Sequence, residues 1–434
     1  MGKGFMKRLN IGVLGFGTIG TGVVKILAEQ RDLIAQRSGV ELVVTAIGDL
    51  DLTRDRGVDT SDIRLTNDAR SIINDPEIDV VVELIGGYEP ARTFVLEALQ
   101  AGKHVVTANK ALIAKHGMEL FPVADSHGVT LAFEASVAGT IPIVKVLREG
   151  LAANPIRALY GIINGTCNYI LSRMRDEGLP FEEVLADAQK LGYAEADPAF
   201  DIEGIDAAHK LAILGAIAFG TPIHFDQVSV EGITKITGQD VAYAEELGYR
   251  VKLLGIAKQA GDAVELRVHP TLLPASNPLA QVEGVFNAVL VDAQYADRTM
   301  YYGRGAGELP TASAVVADLI DIACGRQVAP LGVQPGVLRE RPIRSQGEIE
   351  CGYYLRLSVA DRPGVLATLT RLLADQGVSI EAVRQYGRAE ACEAVPLILT
   401  VHRTREAAFI KALDEIRAQP FVGADLTWMR IEEN

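Results

Sequence analysis

Cysteine is scarce in this sequence: 434 residues carry four, Cys167, Cys324, Cys351 and Cys392, and no two form a CxxC pair. That scatter excludes a disulfide framework and a cysteine-built zinc site, so reduced thiols in the cytoplasm are expected. Positive charge is short as well. Lys and Arg total 42 against 56 Asp and Glu, a net charge of −14, which excludes a broad basic face for nucleic acid or anionic membrane lipid. No run reaches the roughly 18 apolar residues that spanning a bilayer requires. Lys3, Lys7 and Arg8 ahead of Leu9–Phe16 imitate a secretion signal, but Gly12 and Gly15 interrupt the apolar stretch and no small-residue cleavage site follows. Met1-Gly2 does not begin a myristoylation motif, because Met6 stands where Ser or Thr is required. What is present, 48% hydrophobic and 23% charged residues, is the composition of a chain with two or three packed domains.

The first part alternates strands with helices. Apolar Leu9–Leu14 runs into a glycine turn, and Thr21–Gln36 has helical spacing through Val23, Val24, Leu27 and Ile34. Leu42–Ile47, Val80–Ile85 and His104–Thr107 read as further buried strands. This pattern predicts an α/β fold with a Rossmann-type, doubly wound parallel sheet. Past about Ile141, helices at Cys167–Glu177, Phe181–Leu191 and Ile205–Phe219 precede strands at Lys252–Lys258, Val264–His269 and Ala288–Tyr295, which predicts a separate α+β domain. A helix at Thr311–Cys324 either closes that domain or returns to the first. Val328–Gln346, with Pro330, Pro335 and Pro342, reads as a linker. From about Glu350 the order is βαββαβ, a self-contained ferredoxin-like tail.

In Gly15-Phe16-Gly17-Thr18-Ile19-Gly20 the first glycine permits a tight turn, the second admits a pyrophosphate, and the third lets helix and strand pack closely. The helix start adds free N–H groups and its dipole. Strand before and helix after supply the context that a bare GxGxxG lacks, so a nicotinamide dinucleotide is expected here. Asp49, ending the second strand, suits the ribose 2′-OH of NAD; Arg54 and Arg56 suit the 2′-phosphate of NADP. Both coenzymes stay open.

The densest chemistry lies between Gly192 and Lys210. Asp206 and Lys210 are four apart and share a helix face, while Glu195, Asp197 and Asp201 come from the preceding Pro198 loop. Such a pair is ordinary on a solvated helix, but Ala207, Ala208, Leu211, Ala212, Ile213 and Leu214 make this helix mostly apolar. A lysine among acids in an apolar setting is a candidate general acid.

The run Ala188, Gly192, Asp197-Pro198, Asp201, Gly204, Asp206 and Lys210 resembles the signature of homoserine dehydrogenases, which interconvert L-aspartate 4-semialdehyde and L-homoserine with NAD(P). Thr107-Ala-Asn-Lys110, Glu134–Pro142, Asn164-Gly-Thr-Cys-Asn168 and Tyr302–Pro310 are similar to the same family, so the resemblance covers essentially the whole chain. It implies Lys210 as proton donor, with Asp206 beside it, Lys110 as a further catalytic residue near the nicotinamide and substrate, and Glu195, Asp201, Asp206 and Tyr193 around the substrate. It places Gly305 and Gly307 at the coenzyme, and Glu134, Val137, Gly139 and Ile141 around Na+ or another monovalent cation. It further implies a homodimer or homotetramer. The resulting division is a coenzyme domain over 1–140, a substrate-binding, catalytic and dimerisation domain over 141–327, a linker over 328–349 and a regulatory domain over 350–434. Gly48 stands where relatives often carry Arg, which weighs against NADP.

Asp361-Arg-Pro363-Gly364-Val-Leu366, between a strand and a helix, resembles the start of an ACT domain, an amino-acid sensor; the pathway product threonine is the effector that the resemblance implies. Two other readings are available. Cys167 would be the nucleophile of an aldehyde-oxidising dehydrogenase if a base stood beside it, and none is near in sequence; packing is the preferred role. A non-enzymatic, amino-acid-sensing nucleotide-binding protein would share the glycine turn and the tail but would need no lysine among acids.

Overall fold

The structure, a computed structural model, describes residues 7–387 and 394–433. Cys392 and the Met1–Met6 segment weighed for myristoylation and secretion lie outside them. The described residues fall into two compact units. One is drawn from Met1–Ile163, Ala208–Val228 and Asn287–Arg341, the other from Asn164–Ala207, Ser229–Phe286 and Pro342–Asn434.

The first unit contains a six-stranded sheet of β1 (Lys7–Leu14), β2 (Val40–Gly48), β3 (Arg64–Thr66), β4 (Val80–Glu83), β5 (His104–Thr107) and β6 (Leu131–Ala132). All pairs are parallel and the order is β3-β2-β1-β4-β5-β6, the doubly wound arrangement expected. Helices cover both faces, so Ile11, Val13, Val80 and Val82 are fully buried and the central strands read as continuous apolar runs. The single helix expected over Thr21–Gln36 is two, Thr18–Glu29 and Arg31–Ser38, broken at Gln30. β4 ends at Glu83, earlier than its apolar run suggests, because the Glu83 carboxylate accepts from the N–H groups of Ile85 (2.8 Å) and Gly86 (3.1 Å) and turns the chain. Helix Glu308–Ala323 packs on Thr18–Glu29: a Cβ at Gly22 would lie 3.0 Å from Ala312 Cβ and Glu308 Cγ, and Lys25 pairs with Glu308 at 2.7 Å.

The chain then forms β7 (Ile156–Ile162), β8 (Ser229–Val230), β9 (Tyr249–Ala260), β10 (Ala263–Pro274), β11 (Phe286–Ala293) and β12 (Asp297–Arg304). The tail adds β13 (Glu350–Ala360), β14 (Ile380–Gln385), β15 (Ala394–Arg405) and β16 (Val422–Ile431). In the first unit β12, β11 and β7 are neighbours in that order; in the second the order is β9-β10-β16-β13-β15-β14, with β8 on β10. β12 was not anticipated, since Asp297–Arg304 has little apolar alternation and lies largely exposed.

Helices Val365–Asp375 and Glu406–Arg417 complete the βαββαβ tail as read. They bury Leu369, Leu373, Phe409 and Leu413 against β13 and β15. The expectation of a self-contained tail needs correction, however. β16 pairs in parallel with β10, Thr271 opposite Arg430 and Leu272 opposite Ile431, so the tail sheet continues into the middle of the chain. The linker is also anchored: Val264 N–H donates to Pro342 O and Arg344 N–H to Val264 O, both at 2.9 Å. Among the described residues no helix is long and apolar enough to cross a membrane.

Candidate active site

The glycine turn sits at the carboxyl end of β1, where the strand order reverses toward β4, the crevice in which open α/β sheets bind ligands. Its three glycines are required for different reasons. Gly15 has φ +99° and a Cβ there would meet the Leu84 carbonyl at 2.7 Å; a Cβ at Gly20 would meet Gly15 O at 2.2 Å. Gly17 faces open space. Nothing in the protein forbids a side chain at Gly17, so the space above it is free for a pyrophosphate at the start of helix Thr18–Glu29, where Phe16, Thr18 and Ile19 complete the turn. These residues fit a dinucleotide.

Asp49 does more than wait for a ribose. Its carboxylate accepts from Phe16 N–H and from Asp51 N–H (2.9 Å), tying the glycine turn to the end of β2. Arg56 completes the tie. Its guanidinium lies 4.7 Å above the Phe16 ring, donates to the carbonyls of Phe16, Arg54 (2.9 Å) and Asp51 (2.6 Å), and approaches Asp49 at 3.6 Å. Arg54, by contrast, is exposed. Of the two arginines, Arg56 shapes the cradle and Arg54 is placed for solvent or a ligand. We expect Arg56→Ala to raise the KM for coenzyme about tenfold with NAD and NADP alike; an effect confined to NADP would make Arg56 a 2′-phosphate ligand instead.

Lys110 is the first residue of helix Lys110–Ser126, directly after β5. A cation at a helix N-terminus opposes the dipole, so its position has to be explained by something other than helix stability. Asn109 caps this helix through Leu112 N–H (3.0 Å) and donates to Gly87 O (2.7 Å), while Thr107 donates to buried Glu83 (2.6 Å). The ends of β4 and β5 are thereby fixed together, with Lys110 on their rim. Lys210, buried in helix Ile205–Phe219, donates from Nζ to Ile163 O at 2.8 Å. The adjacent His209 is buried, stacked on Phe225 (centroids 4.0 Å) and hydrogen-bonded through Nε2 to the Tyr88 hydroxyl at 3.0 Å.

In the second unit the acids are organised by a residue that sequence reasoning gave no role. Asn164 caps helix Gly165–Glu177 with its oxygen, on Cys167 N–H, and its Nδ2 donates to Asp201 (2.7 Å) and Asp206 (2.9 Å). One amide therefore holds two carboxylates side by side. Thr166 donates to the Tyr193 carbonyl (2.6 Å) and approaches Asp201 (3.3 Å). Glu195 and Tyr193 are exposed on the preceding loop.

Glu134 is buried, and both its oxygens accept backbone N–H groups at a helix start, Val144 (3.0 Å) and Lys145 (2.8 Å). Burial first, then neighbouring Asp318, push its pKa up to about 7. The loop that follows turns sharply at Ala138 (φ 57°) and Gly139 (φ 54°). It packs against the segment carrying Gly305 and Gly307: a Cβ at Gly139 would lie 2.7 Å from Gly305 O, and Thr140 donates to Arg304 O. Among the described residues no cluster of three or more His, Cys, Asp and Glu could hold a metal ion.

The family described as homoserine dehydrogenase matches residues 142–320, its NAD-binding domain matches 15–134, and the ACT domain matches 353–421. A homoserine dehydrogenase of Neisseria gonorrhoeae is 48% identical over 433 residues, covering 98% of this chain and 99% of the relative. The chain belongs to the homoserine dehydrogenase family. It is an NAD(P)-dependent oxidoreductase acting on a CH–OH group, with a C-terminal ACT domain. The crystal structure of a homoserine dehydrogenase from Thiobacillus denitrificans is similar throughout, with TM-score 0.94 and 50% identity over 99% of each chain. A hyperthermophilic archaeal homoserine dehydrogenase in complex with NADPH matches 74% of this chain and 99% of its own at TM-score 0.63 and 27% identity.

For a homoserine dehydrogenase, the Cys167 alternative has no chemical basis. The thiol is buried and donates to the Asp201 carbonyl at 3.2 Å, which is the geometry of a packing residue. Sequence reasoning had passed over Glu83, Tyr88 and Asn164. Asn164 alone left a signal, an Asn immediately before a helical run, which marks an N-cap.

Proposed function

We propose that this homoserine dehydrogenase interconverts L-homoserine and L-aspartate 4-semialdehyde through Lys210. The observation that carries the proposal is an ammonium buried in an apolar helix of the unit that also bears the open Gly17 cradle. When bound, NAD(P) would supply or accept the hydride at the carbon bearing oxygen. As that carbon is reduced, negative charge grows on the oxygen, and Lys210 Nζ stabilises it and gives up a proton; in the reverse direction the amine accepts the hydroxyl proton. Asp201 and Asp206 bind the substrate's ammonium and hydroxyl groups, Glu195 and Tyr193 cover it from the loop, and Lys110 steadies the nicotinamide edge. Gly305 and Gly307 border the coenzyme. Protein mixed with L-homoserine and either NAD or NADP should develop the absorbance of reduced nicotinamide. No reduction with either coenzyme would end the proposal.

Asn164 gives the substrate acids their geometry, so Asn164→Ala is expected to raise the homoserine KM about tenfold while costing only about 1 kcal/mol for the lost helix cap. Steady-state kinetics beside a urea melt separates the two. An unchanged KM would show that Asp201 and Asp206 do not need the amide.

We assign Na+ or another monovalent cation to the Glu134–Ile141 loop, held by Glu134 and the carbonyls of Val137, Gly139 and Ile141. Hard oxygens suit such an ion, and no hydrogen bond ends on the Val137 or Gly139 carbonyl among the described residues. Exchanging sodium for choline at constant ionic strength should lower the melting temperature, since an ion present at a hundred times its Kd contributes about 2.7 kcal/mol. Identical melts in the two salts would remove the cation.

The ACT domain supports control by an amino acid, and threonine at the Asp361–Leu366 loop is the assignment carried from the sequence. There Gly364, at φ +92°, opens helix Val365–Asp375. The chain is read as a cytoplasmic homodimer or homotetramer. Cys167, Cys324 and Cys351 form no disulfide among the described residues, in keeping with a reducing compartment, and exposed Tyr295 and Tyr302 around β12 agree with a face covered by another copy. Light scattering on the purified protein tests the assembly.

A further inference from the structure

We infer that the second unit holds an amino-acid-binding cavity distinct from the Asp361–Leu366 loop, formed where β16 of the ACT domain meets the turn after Asp201. The cavity has a volume of about 400 Å³, ample for a small α-amino acid. Its wall carries both signs of charge. Glu203 and Glu231 stand against Lys235, Arg417 and Arg430, with the Trp428 indole beside them. A carboxylate and an ammonium on one small molecule match that wall, whereas a simple anion or cation would meet repulsion from half of it.

Arg430 is the group that points to a ligand. It is 1% exposed, donates from Nε and Nη2 to Glu406 at 2.7 Å and from Nη2 to Glu231 at 2.7 Å, and lies 4.8 Å from the Trp428 ring. Its Nη1 has no hydrogen-bond partner among the described residues. Already paired with Glu406 and Glu231, this guanidinium still has Nη1, on the cavity wall and outside those ion pairs, to offer a carboxylate.

The opposite wall leads to the substrate acids. Gly232 packs so closely on the turn that a Cβ there would lie 2.3 Å from Ile202 O and 2.5 Å from Glu203 Cα, and Ile233 N–H donates to Ile202 O at 2.8 Å. Glu231 N–H is fixed to Val268 O at 2.8 Å. Glu203 follows Asp201 by two residues and precedes Asp206 by three. A zwitterion bridging Arg430 and Glu203 would therefore tie β16 to the segment that places both carboxylates, and so change affinity for homoserine. This cavity deepens the reading of the tail as a sensor, but binding to it can be measured without turnover.

The test titrates the full-length protein calorimetrically with each of the twenty standard L-amino acids, L-threonine first. At least one is expected to bind saturably, and its α-carboxamide is expected not to. Lys235→Ala and Arg417→Ala, both changes at exposed positions, should weaken that binding at least tenfold, and Thr234→Trp, which fills the cavity mouth, should abolish it. Arg362→Ala, at the other loop, should leave it unchanged. If no amino acid binds, or if affinity survives all three cavity variants, the inference is wrong. Failure of this experiment would leave the dehydrogenase reaction untouched, since that is read from coenzyme reduction.

Discussion

Lys210→Met is expected to lower kcat about a thousandfold while coenzyme still binds. Methionine keeps the length and apolar stem of lysine and removes only the ammonium. The helix around it, with Ala208, Leu211, Ile213 and Leu214 at or near zero exposure, retains its packing. The structural loss includes the hydrogen bond to Ile163 O, roughly 1 kcal/mol. The chemical loss is larger, because a positioned general acid contributes on the order of 10²- to 10⁴-fold, and here it also stabilises the charge growing on the aldehyde oxygen. Tryptophan-independent coenzyme titration, by reduced-nicotinamide fluorescence, should give a dissociation constant within about twofold of the parent. A kcat within tenfold of the parent would transfer the proton to another residue, and Lys110 would be examined next.

What could be read in advance follows from where each constraint is written. The glycine turn was legible because φ +99° at Gly15 and the clash of any Cβ at Gly20 with Gly15 O are local demands that only glycine meets. The parallel sheet was legible from uninterrupted apolar runs buried on both faces. The burial of Lys210 was legible because its helix is mostly apolar. Asn164 entered the sequence reading only within the Asn164–Asn168 motif, since the carboxylates it joins are 37 and 42 residues away. Arg56 offered itself with Arg54 as one choice for a 2′-phosphate; that it also braces Phe16, 40 positions earlier, depends on a loop path that no periodicity records. The break at Gln30 and the short β3 and β6 are likewise decided by packing and not by propensity. The pairing of β16 with β10 joins segments some 160 residues apart, and the last strand of a ferredoxin-like tail has the same pattern whether its edge is free or occupied.

That occupied edge leads to the largest stability effect. Arg356 on β13 is buried, and its guanidinium donates to both oxygens of fully buried Asp240, from Nε at 2.6 Å and from Nη2 at 3.2 Å. Asp240 also receives the Tyr354 hydroxyl (3.3 Å) and closes the capping box with Thr237 that starts helix Gly238–Glu246. Arg356→Met should therefore destabilise the protein by about 3–5 kcal/mol, because it leaves a carboxylate in a dry site without its cation. The pair itself need not be worth that much: desolvating two charges consumes most of their attraction, and the penalty arises from stranding one partner. Adding Asp240→Asn to Arg356→Met should accordingly recover part of the loss, less the cost of a weakened cap. Urea unfolding of the parent, the single variants and the double variant closes the cycle. If Arg356→Met costs less than about 1 kcal/mol, the ACT sheet is held to helix Gly238–Glu246 by apolar packing, and the ion pair sets only its register.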